Sequence, residues 1–437
     1  MDLINGKIRP IYFKYLLAAS GSSLIACVFG MVDAMMVGQY HGPAGNAALA
    51  VFNPLWSIFY CFGLLVGIGS SVLFANARGE KDEKTAQEYF TLSLIYGAVL
   101  SALSVLVIGV FHEPLFRLFG ADEELLKLVK GYFWPILFAI PFSLFLNVLA
   151  AFLRNDGNPG LATKAVVIGG IINAFGDYFF VFTLDMGISG AGLATAIGQI
   201  VTALVMTLHF VSKKNTLRLV KLSQCFLKVK NISIAGFSTG INDLAMGVIA
   251  VLFNRQIMKY LGTDALAVYG ILIQYTVFVQ CLAYGIGQAA QPILSQNYGA
   301  RKLDRVNTCL KYSLYTSVVM GIVSTGILLA IPNVFVGLFM SPTPAVLEIA
   351  PKILRIYGIS FLLLPFNIFA TYYFQAVMRA GISMALSVGR GVVLSGALIL
   401  LLPAVAGADS IWYCMIITEG LVMVCGVFLM IRCRKIL

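Results

Sequence analysis

The sequence predicts an all-α polytopic membrane protein: twelve transmembrane helices in two parallel six-helix repeats. Three observations carry that prediction. Of 437 residues, 59% are hydrophobic and only 11% are charged, and mean hydropathy is +0.91, whereas a soluble domain carries about 25% charge. Twelve apolar stretches reach the roughly 20 residues that cross a hydrocarbon core. The chain also repeats itself. Val251 to Lys302 is a diluted copy of Met31 to Asp82, and an offset of 220 residues brings Tyr40, Gly42, Ala47, Cys61, Gly67 and Gly79 onto Tyr260, Gly262, Ala267, Cys281, Gly287 and Gly299.

The spans read as 11–37, 46–76, 87–111, 128–152, 161–184, 189–212, 231–254, 264–296, 308–331, 350–375, 382–403 and 409–431. The first has no small-residue cleavage site behind it and is expected to be retained as a helix. The second and eighth are long enough to tilt or protrude. Residues 213–230, KKNTLRLVKLSQCFLKVK, divide the sixes. They contain no Gly or Pro and have spaced apolar residues, which predicts an amphipathic linker lying on the membrane surface. The expected units are therefore a lobe over 1–212, a linker over 213–230 and a lobe over 231–437. A second matching pair, Pro141 to Gly157 and Pro365 to Gly381, is also six spans apart, so both halves run in the same direction. Parallel repeats with a cavity between them near the midplane are a recurring transporter plan.

The net charge is +11. With the N-terminus inside, 23 of the 30 Lys and Arg fall in inside segments, so both termini are expected in the cytoplasm. The basic excess is thus a topology signal and a contact for anionic lipid head groups, with no nucleic-acid site implied. The eight Cys are scattered and form no CxxC pair, and His41, His112 and His209 stand far apart; disulfide and metal frameworks are not expected. No nucleophile–base pair or phosphate loop occurs, so enzyme chemistry is not expected. The glycine runs Gly63, Gly67, Gly69 and Gly187, Gly190, Gly192 belong to close helix packing.

A carboxylate inside a span is costly and by default points to function. Four of the 19 acids lie well inside spans: Asp33, Asp177, Asp243 and Glu419. Counting residues from the outer ends, Asp33, Asp177 and Thr195 lie roughly 6–11 Å below the outer boundary at about 1.5 Å per residue. Asn173 stands one helical turn before Asp177, and Gln199 one turn after Thr195, so each pair shares a face. Two acids, an amide and a hydroxyl at one depth can form an oxygen cage for Na⁺, or the acids can share a proton. The alternative is that each acid caps a helix end separately. Arg390 with Glu419 or Asp243 reads as a structural ion pair. Asp243, beside Asn242, can otherwise attract a cationic substrate. Gln274, Gln280 and Gln288 on span 8 are expected to line an interface or cavity. The 15 Met and 31 Phe suit adaptable apolar binding.

The motifs VDAMMVGQYHG (Val32 to Gly42), ANARGEKD (Ala75 to Asp82), RNDGNP (Arg154 to Pro159), NAFGDYFFVF (Asn173 to Phe182), GISGAGLATAIGQ (Gly187 to Gln199) and GIGQAAQPILSQNYGARKLDRV (Gly285 to Val306) run in order through the chain. Together with twelve spans they resemble the multidrug and toxic compound extrusion (MATE) family, over residues 10–435. The resemblance implies a V-shaped bundle of two six-helix lobes in a bacterial plasma (inner) membrane. It implies a monomeric antiporter that exports amphipathic, cationic organic compounds in exchange for H⁺ or Na⁺, without a cofactor. A flippase for a lipid-linked saccharide or another large amphiphile is the alternative within the superfamily, and it predicts a wide cationic cavity. The family's first-lobe cation site (an acid on helix 1, an Asn and an acid one turn apart on helix 5, a Thr on helix 6) falls on Asp33, Asn173, Asp177 and Thr195. The chain departs from relatives at two places. The helix 1 region Leu16 to Ser23 has no Pro, leaving Gly21–Ser22 as its bending point, and span 10 has no acid, so Asp243 stands alone.

Overall fold

The computed structural model describes residues 2–339 and 344–436. Among them are twelve helices long and apolar enough to cross a membrane: α1 (Ile8–Gly42), α2 (Ala44–Gly79), α3 (Glu83–Leu118), α4 (Glu123–Asn155), α5 (Pro159–Thr183), α6 (Ile188–Val211), α7 (Cys225–Tyr260), α8 (Thr263–Gly299), α9 (Leu303–Ala330), α10 (Pro344–Ala376), α11 (Ala380–Ala406) and α12 (Ala408–Cys433). A short helix, Pro332–Phe339, follows α9. Each expected span coincides with one of these helices to within a few residues, and most of the helices are longer than hydropathy indicated. Their polar ends are real helix, capped where the chemistry allows. Asp82 accepts from Thr85 N at 3.0 Å at the start of α3, Asp122 accepts from Leu125 N at 2.8 Å at the start of α4, and Pro159 opens α5.

The repeat reappears in the backbone. Gly42 (φ +62°) and Gly262 (φ +84°) turn the chain between α1 and α2 and between α7 and α8, and Gly187 (φ +55°) and Gly407 (φ +88°) open α6 and α12. Both pairs are separated by 220 residues. Side chains resist this conformation and glycine does not.

Helices α1–α6 and α7–α12 form two lobes whose first helices begin in each other's territory. Ile8, Ile11, Tyr12, Tyr15 and Ala19 of α1 are buried with Ile286 and Ile293 of α8, Cys309 of α9 and Phe369 and Tyr373 of α10. Val37, further along α1, is buried with Phe52, Tyr132 and Val181 of its own lobe. Conversely, Ile232 and Ala235 of α7 pack with Phe74, Phe90 and Phe152 of the first lobe. Hydropathy identifies α1 as a span but does not say which lobe it joins; it joins both. No residue around Gly21–Ser22 leaves the helical region, since Gly42 is the one non-helical residue between Ile8 and Gly79. Ser22 instead donates to Ala18 O at 2.8 Å, and Thr163 of α5 donates to the same carbonyl at 2.8 Å.

At the end that carries both termini, the lobes meet backbone to backbone. A Cβ on Gly79 of α2 would stand 2.7 Å from Ala300 N, and one on Gly299 of α8 would stand 2.9 Å from the Asn76 carbonyl carbon. The contacts are related by the repeat, because Asn76 and Gly79 are the counterparts of Gln296 and Gly299. Across the same seam Asn76 Nδ2 donates to Ala376 O at 3.2 Å and Gln296 Nε2 donates to Asn155 O at 3.3 Å. Here the glycines serve close helix packing.

The segment between the lobes differs from the expected amphipathic linker. Residues 225–230 already belong to α7, and 216–222 form no helix. The chain is tied down as an extended strap along α3. Gln87 Nε2 donates to Thr216 O at 3.0 Å, Arg218 N to Gln87 Oε1 at 2.7 Å, Val220 N to Thr91 Oγ1 at 3.1 Å and Ser223 Oγ to Glu88 Oε2 at 2.8 Å. Lys228 pairs with Glu88, and Leu217 is buried. The reason is hydrogen-bond accounting: strap backbone groups find side-chain partners on α3 that a surface helix would leave unused.

Asp156, just past α4, anchors the strap. It accepts from His209 Nε2 at 2.7 Å, Thr216 N at 2.9 Å and Arg78 Nη1 at 3.1 Å, and from the Thr216 hydroxyl. Burial alone pushes the Asp156 carboxyl up, but the hydrogen bonds from His209, Thr216 and Arg78 outweigh it and hold the group below the usual carboxylate range. A depressed folded pKa gives stability that is complete above the unfolded value, about 3.9 for Asp, and is lost as pH falls through the folded value. The unfolding temperature is therefore expected to drop below about pH 4 by an Asp156-dependent amount. At neutral pH, Asp156→Asn should bring the same loss and speed tryptic cleavage at Lys213 and Arg218.

Candidate functional site

The four residues selected by depth converge inside the first lobe. Asp33 comes from the far half of α1 and is buried. Asp177 opens the π-helical last turns of α5, Asp177–Thr183, and is fully buried; such widened turns often sit at functional sites. Asn173, one turn earlier, donates from Nδ2 to Asp177 Oδ1 at 3.4 Å and to Thr195 Oγ1 of α6 at 3.3 Å. Thr195 Oγ1 lies 3.5 Å from Asp33 Oδ1. The Asp33 and Asp177 carboxyls face one another within hydrogen-bonding reach, and no donor from the protein reaches Asp177 Oδ2. The glycines of α6 make this possible: a Cβ on Gly198 would stand 2.9 Å from that of Asn173.

The sequence reading missed a fifth member. Tyr132 of α4 donates its hydroxyl to Asp33 Oδ2 at 2.7 Å and packs edge-on against Phe52 at 5.1 Å. Residue counting places Tyr132, four residues into its span, at the same depth as Asp33, four residues from the outer end of its own. It escaped notice because a tyrosine in a span carries no charge to explain. Gln199 is half-buried one turn beyond Thr195 and hydrogen-bonds to none of the five.

Two carboxyls facing each other in a membrane interior cannot both stay ionised without a counter-ion. The chemistry of the group suits a proton between the acids, or a small hard cation among the carboxylate, amide, hydroxyl and phenol oxygens. It can bind and release one positive charge.

The second lobe is arranged otherwise. Arg390 Nε donates to Glu419 Oε1 at 2.8 Å, and Asn367 Nδ2 donates to Glu419 Oε2 at 2.6 Å and to Glu419 O at 2.9 Å. This is the structural ion pair read from the sequence, made with Glu419 rather than Asp243. It borders a cavity of about 200 Å³ that is otherwise mostly apolar, walled by Met246, Tyr269, Phe361 and Met415. Asp243 accepts from Tyr284 OH at 3.1 Å, and Gln280 Nε2 reaches that phenol at 2.5 Å. Asp243 Oδ2 and both polar atoms of the adjacent Asn242 have no hydrogen-bond partner. Gln288 lies beside Tyr372 in the same region, whereas Gln274 is exposed and away from this group. Tyr60 of the first lobe closes it from across the interface.

The family model MatE matches residues 18–179 and again 239–398, once in each lobe. The chain belongs to the MatE family. Its relatives include the multidrug export protein MepA of Staphylococcus saprophyticus, 24% identical over 85% of this chain and 82% of that protein. Another is the probable multidrug resistance protein YoeA of Bacillus subtilis, 26% identical over 78% of this chain and 75% of the other. A solved structure described as the outward-facing conformation of a multidrug resistance MATE family transporter superposes with a TM-score of 0.91 at 22% identity, covering 99% of this chain and 97% of that one. A MOP superfamily transporter from Pyrococcus furiosus superposes equally well, with a TM-score of 0.91 at 21% identity over 99% and 97%. MatE proteins are transporters, and this chain is a multi-pass membrane transporter rather than an enzyme.

Tyr132→Phe removes one hydroxyl and leaves the packing intact. A hydrogen bond to a charged group contributes about 1.5–3 kcal/mol. The donated bond favours the ionised form of Asp33, so where the coupling cation is a proton its loss should tighten the apparent proton affinity roughly tenfold or more, measured as the proton concentration giving half-maximal flux, with the unfolding temperature nearly unchanged.

Proposed function

We propose that this MatE protein is a secondary antiporter that exports amphipathic organic cations in exchange for H⁺ or Na⁺. The observation that carries the proposal is the pair of facing carboxyls, Asp33 and Asp177, with Asn173, Thr195 and Tyr132 around them. The named activities of MepA and YoeA support the export of drug-like compounds. The orientation that follows from the Lys and Arg distribution puts both termini in the cytoplasm of a bacterial plasma membrane, which makes the far end of the bundle the outer one.

The cycle follows from the geometry. A cation arriving from outside neutralises Asp33 and Asp177 and draws α1 toward α5 and α6. The first turns of α1 are seated in the second lobe, so this movement is felt at the lobe interface, where Tyr60 is within electrostatic reach of Asp243 and where we place the substrate group Asp243, Asn242, Gln199, Gln280 and Gln288. Substrate affinity falls and the compound leaves outward; the seam at Gly79 and Gly299 then parts and the cation is released to the cytoplasm. Exchange requires that each ligand weaken the other's binding, typically by 1–3 kcal/mol. Movement of a lipid-linked saccharide is the alternative, and a wide cationic cavity would be its mark. The polar interface group around Asp243 fits that mark less well.

The test is flux of a fluorescent cationic dye in proteoliposomes under a Na⁺ gradient and, separately, a pH gradient. One gradient is expected to drive the dye, and Asp33→Asn and Asp177→Asn should each abolish the driven component. Dye that moves under neither gradient sinks the antiport reading. Driven flux that survives both substitutions moves the coupling site elsewhere.

A further inference from the structure

Tyr40 and His41 close the helix that carries Asp33, and the proposed cation cycle uses neither. Both reach the four-residue connection 184–187, which joins the Asp177 end of α5 to the start of α6, the helix of Thr195. Tyr40 OH donates to Asp185 Oδ1 at 2.5 Å, and its ring packs edge-on against Phe182 at 5.8 Å. His41 Nε2 accepts from the backbone N of Ile188, the first residue of α6, at 3.0 Å. Gly187 makes room for this contact, since a Cβ there would stand 2.6 Å from His41 Nε2. Asp185 and Gly187, both at φ +55°, hold left-handed backbone. For a residue other than glycine that conformation is uncommon and is held by its surroundings. The outer ends of the three helices that supply Asp33, Asn173, Asp177 and Thr195 are thus joined in one clasp. It lies about 12 Å along α1 from Asp33, at about 1.5 Å per residue.

Two properties set the clasp apart from ordinary helix packing. First, it depends on the charge of His41. Nε2 accepts a hydrogen bond, so that nitrogen carries no proton while the clasp is closed. Protonating it would set N–H against N–H and place a positive charge at the start of α6, where the helix dipole is itself positive. Histidine is the side chain that ordinarily changes charge near neutral pH. Among the described residues no carboxylate forms an ion pair with His41, and the charged groups on the elements packed around it are engaged elsewhere or face solvent. Asp185 is held by Tyr40. On α4, which meets the start of α6 at Gly131, Lys130 pairs with Glu113 of α3 and Lys127 is exposed. The first turns of α2, which pack against His41 at Gly45, carry no charged residue. Second, the fold does not require the clasp. At an offset of 220, His41 is replaced by Leu261 and Asp185 by Val405. The second lobe makes the same turns at Gly262 and Gly407 without these bonds, and Tyr260, the counterpart of Tyr40, lies against Lys259 at 4.9 Å. The clasp accompanies the cation site and not the repeat.

We propose that His41 is a positioning residue for the cation site: its neutral ring holds the outer end of α1 on the start of α6, and a proton taken up from the outer side releases that hold and admits the coupling cation to Asp33 and Asp177. The inference rests on the cation-site reading and adds the step that exposes the site. His41 touches none of the cation's ligands; it acts through the position of α1.

The test is amide hydrogen exchange, followed by mass spectrometry on the purified full chain in lipid nanodiscs, over the peptide 184–192. Protection is taken relative to the chemical exchange rate at about pH 8 and at about pH 5, either side of the ordinary histidine range. In the wild type, protection at the start of α6 should fall about tenfold at the acid pH, the worth of one hydrogen bond. His41→Gln offers an amide oxygen that does not titrate and should keep the protection at both pH values. His41→Leu, copying the second lobe, should lack it at both. Any effect of acid on Asp33 and Asp177 is common to all three proteins, so a fall that also appears in His41→Gln overturns the assignment, as does a wild type whose protection does not change. Either variant alone supplies this control if the other does not fold. In proteoliposomes, driven dye flux through His41→Gln should match the wild type at about pH 8 outside and fall several-fold behind it at about pH 5. Equal rates at both pH values overturn the role at the cation site. Dye driven in neither protein counts against antiport, and the exchange comparison still judges His41.

Discussion

The structure turns on two carboxyl groups brought face to face inside a membrane. Asp33 and Asp177 come from α1 and α5, residues 144 positions apart in the chain, and Asp177 Oδ2 has no donor at all. Water would disperse this repulsion; a helix bundle in lipid does not. Two ionised carboxylates at this distance repel each other unless a positive charge lies between them, and the proposed cycle makes the packing of the first lobe depend on that charge. A hydrophobic pair at the same positions would pack well and respond to nothing. The surrounding groups, Asn173, Thr195 and Tyr132, supply oxygens and a correct orientation but no compensating positive charge, which keeps the site open to exchange.

That local dependence reaches the rest of the molecule through α1. Its far half carries Asp33, and its first turns are buried among α8, α9 and α10. A shift that relieves the carboxyls must either bend α1 or move its seat in the other lobe. The helix has no proline and no non-helical residue before Gly42. The Ala18 carbonyl receives side-chain donors from Ser22 and from Thr163 of α5 and so can lose a backbone hydrogen bond without being left unsatisfied. The mirrored seating of α7 in the first lobe makes the lobes two interlocked bodies, and rocking one necessarily drags a helix of the other.

Much of this was legible in the sequence, for identifiable reasons. Helical rise converts residue number into depth, so Asp33, Asn173, Asp177 and Thr195 could be placed on one level before any fold was known. Arg390 and Glu419 were recognisable because a basic group within a span needs an acid. Tyr132 was invisible to the same logic, because a phenol in lipid raises no alarm. The strap was misread because its partners, Gln87, Thr91 and Asp156, are remote in sequence, and spaced apolar residues suggest a surface helix when those partners are unseen. The double seating of α1 leaves no trace in hydropathy, which reports that a span is apolar and not against what it packs.

The departures between the two repeats are as informative as their likeness. At an offset of 220, Asp33 is replaced by Phe253 and Thr195 by Met415, and both replacements lie in the apolar core of the second lobe, Phe253 stacked on Tyr269 at 4.8 Å. The one buried acid of that core, Glu419, is permanently satisfied by Arg390 and Asn367. A tethered guanidinium cannot be exchanged, so the packing around Glu419 has no state in which it is short of a charge. The lobes share a fold, and in the proposed cycle the first lobe is the one that repacks when a cation comes or goes. Alternation between them requires only one responsive lobe, provided that the helix carrying the response is anchored in the lobe that does not respond. The chain meets that requirement in α1.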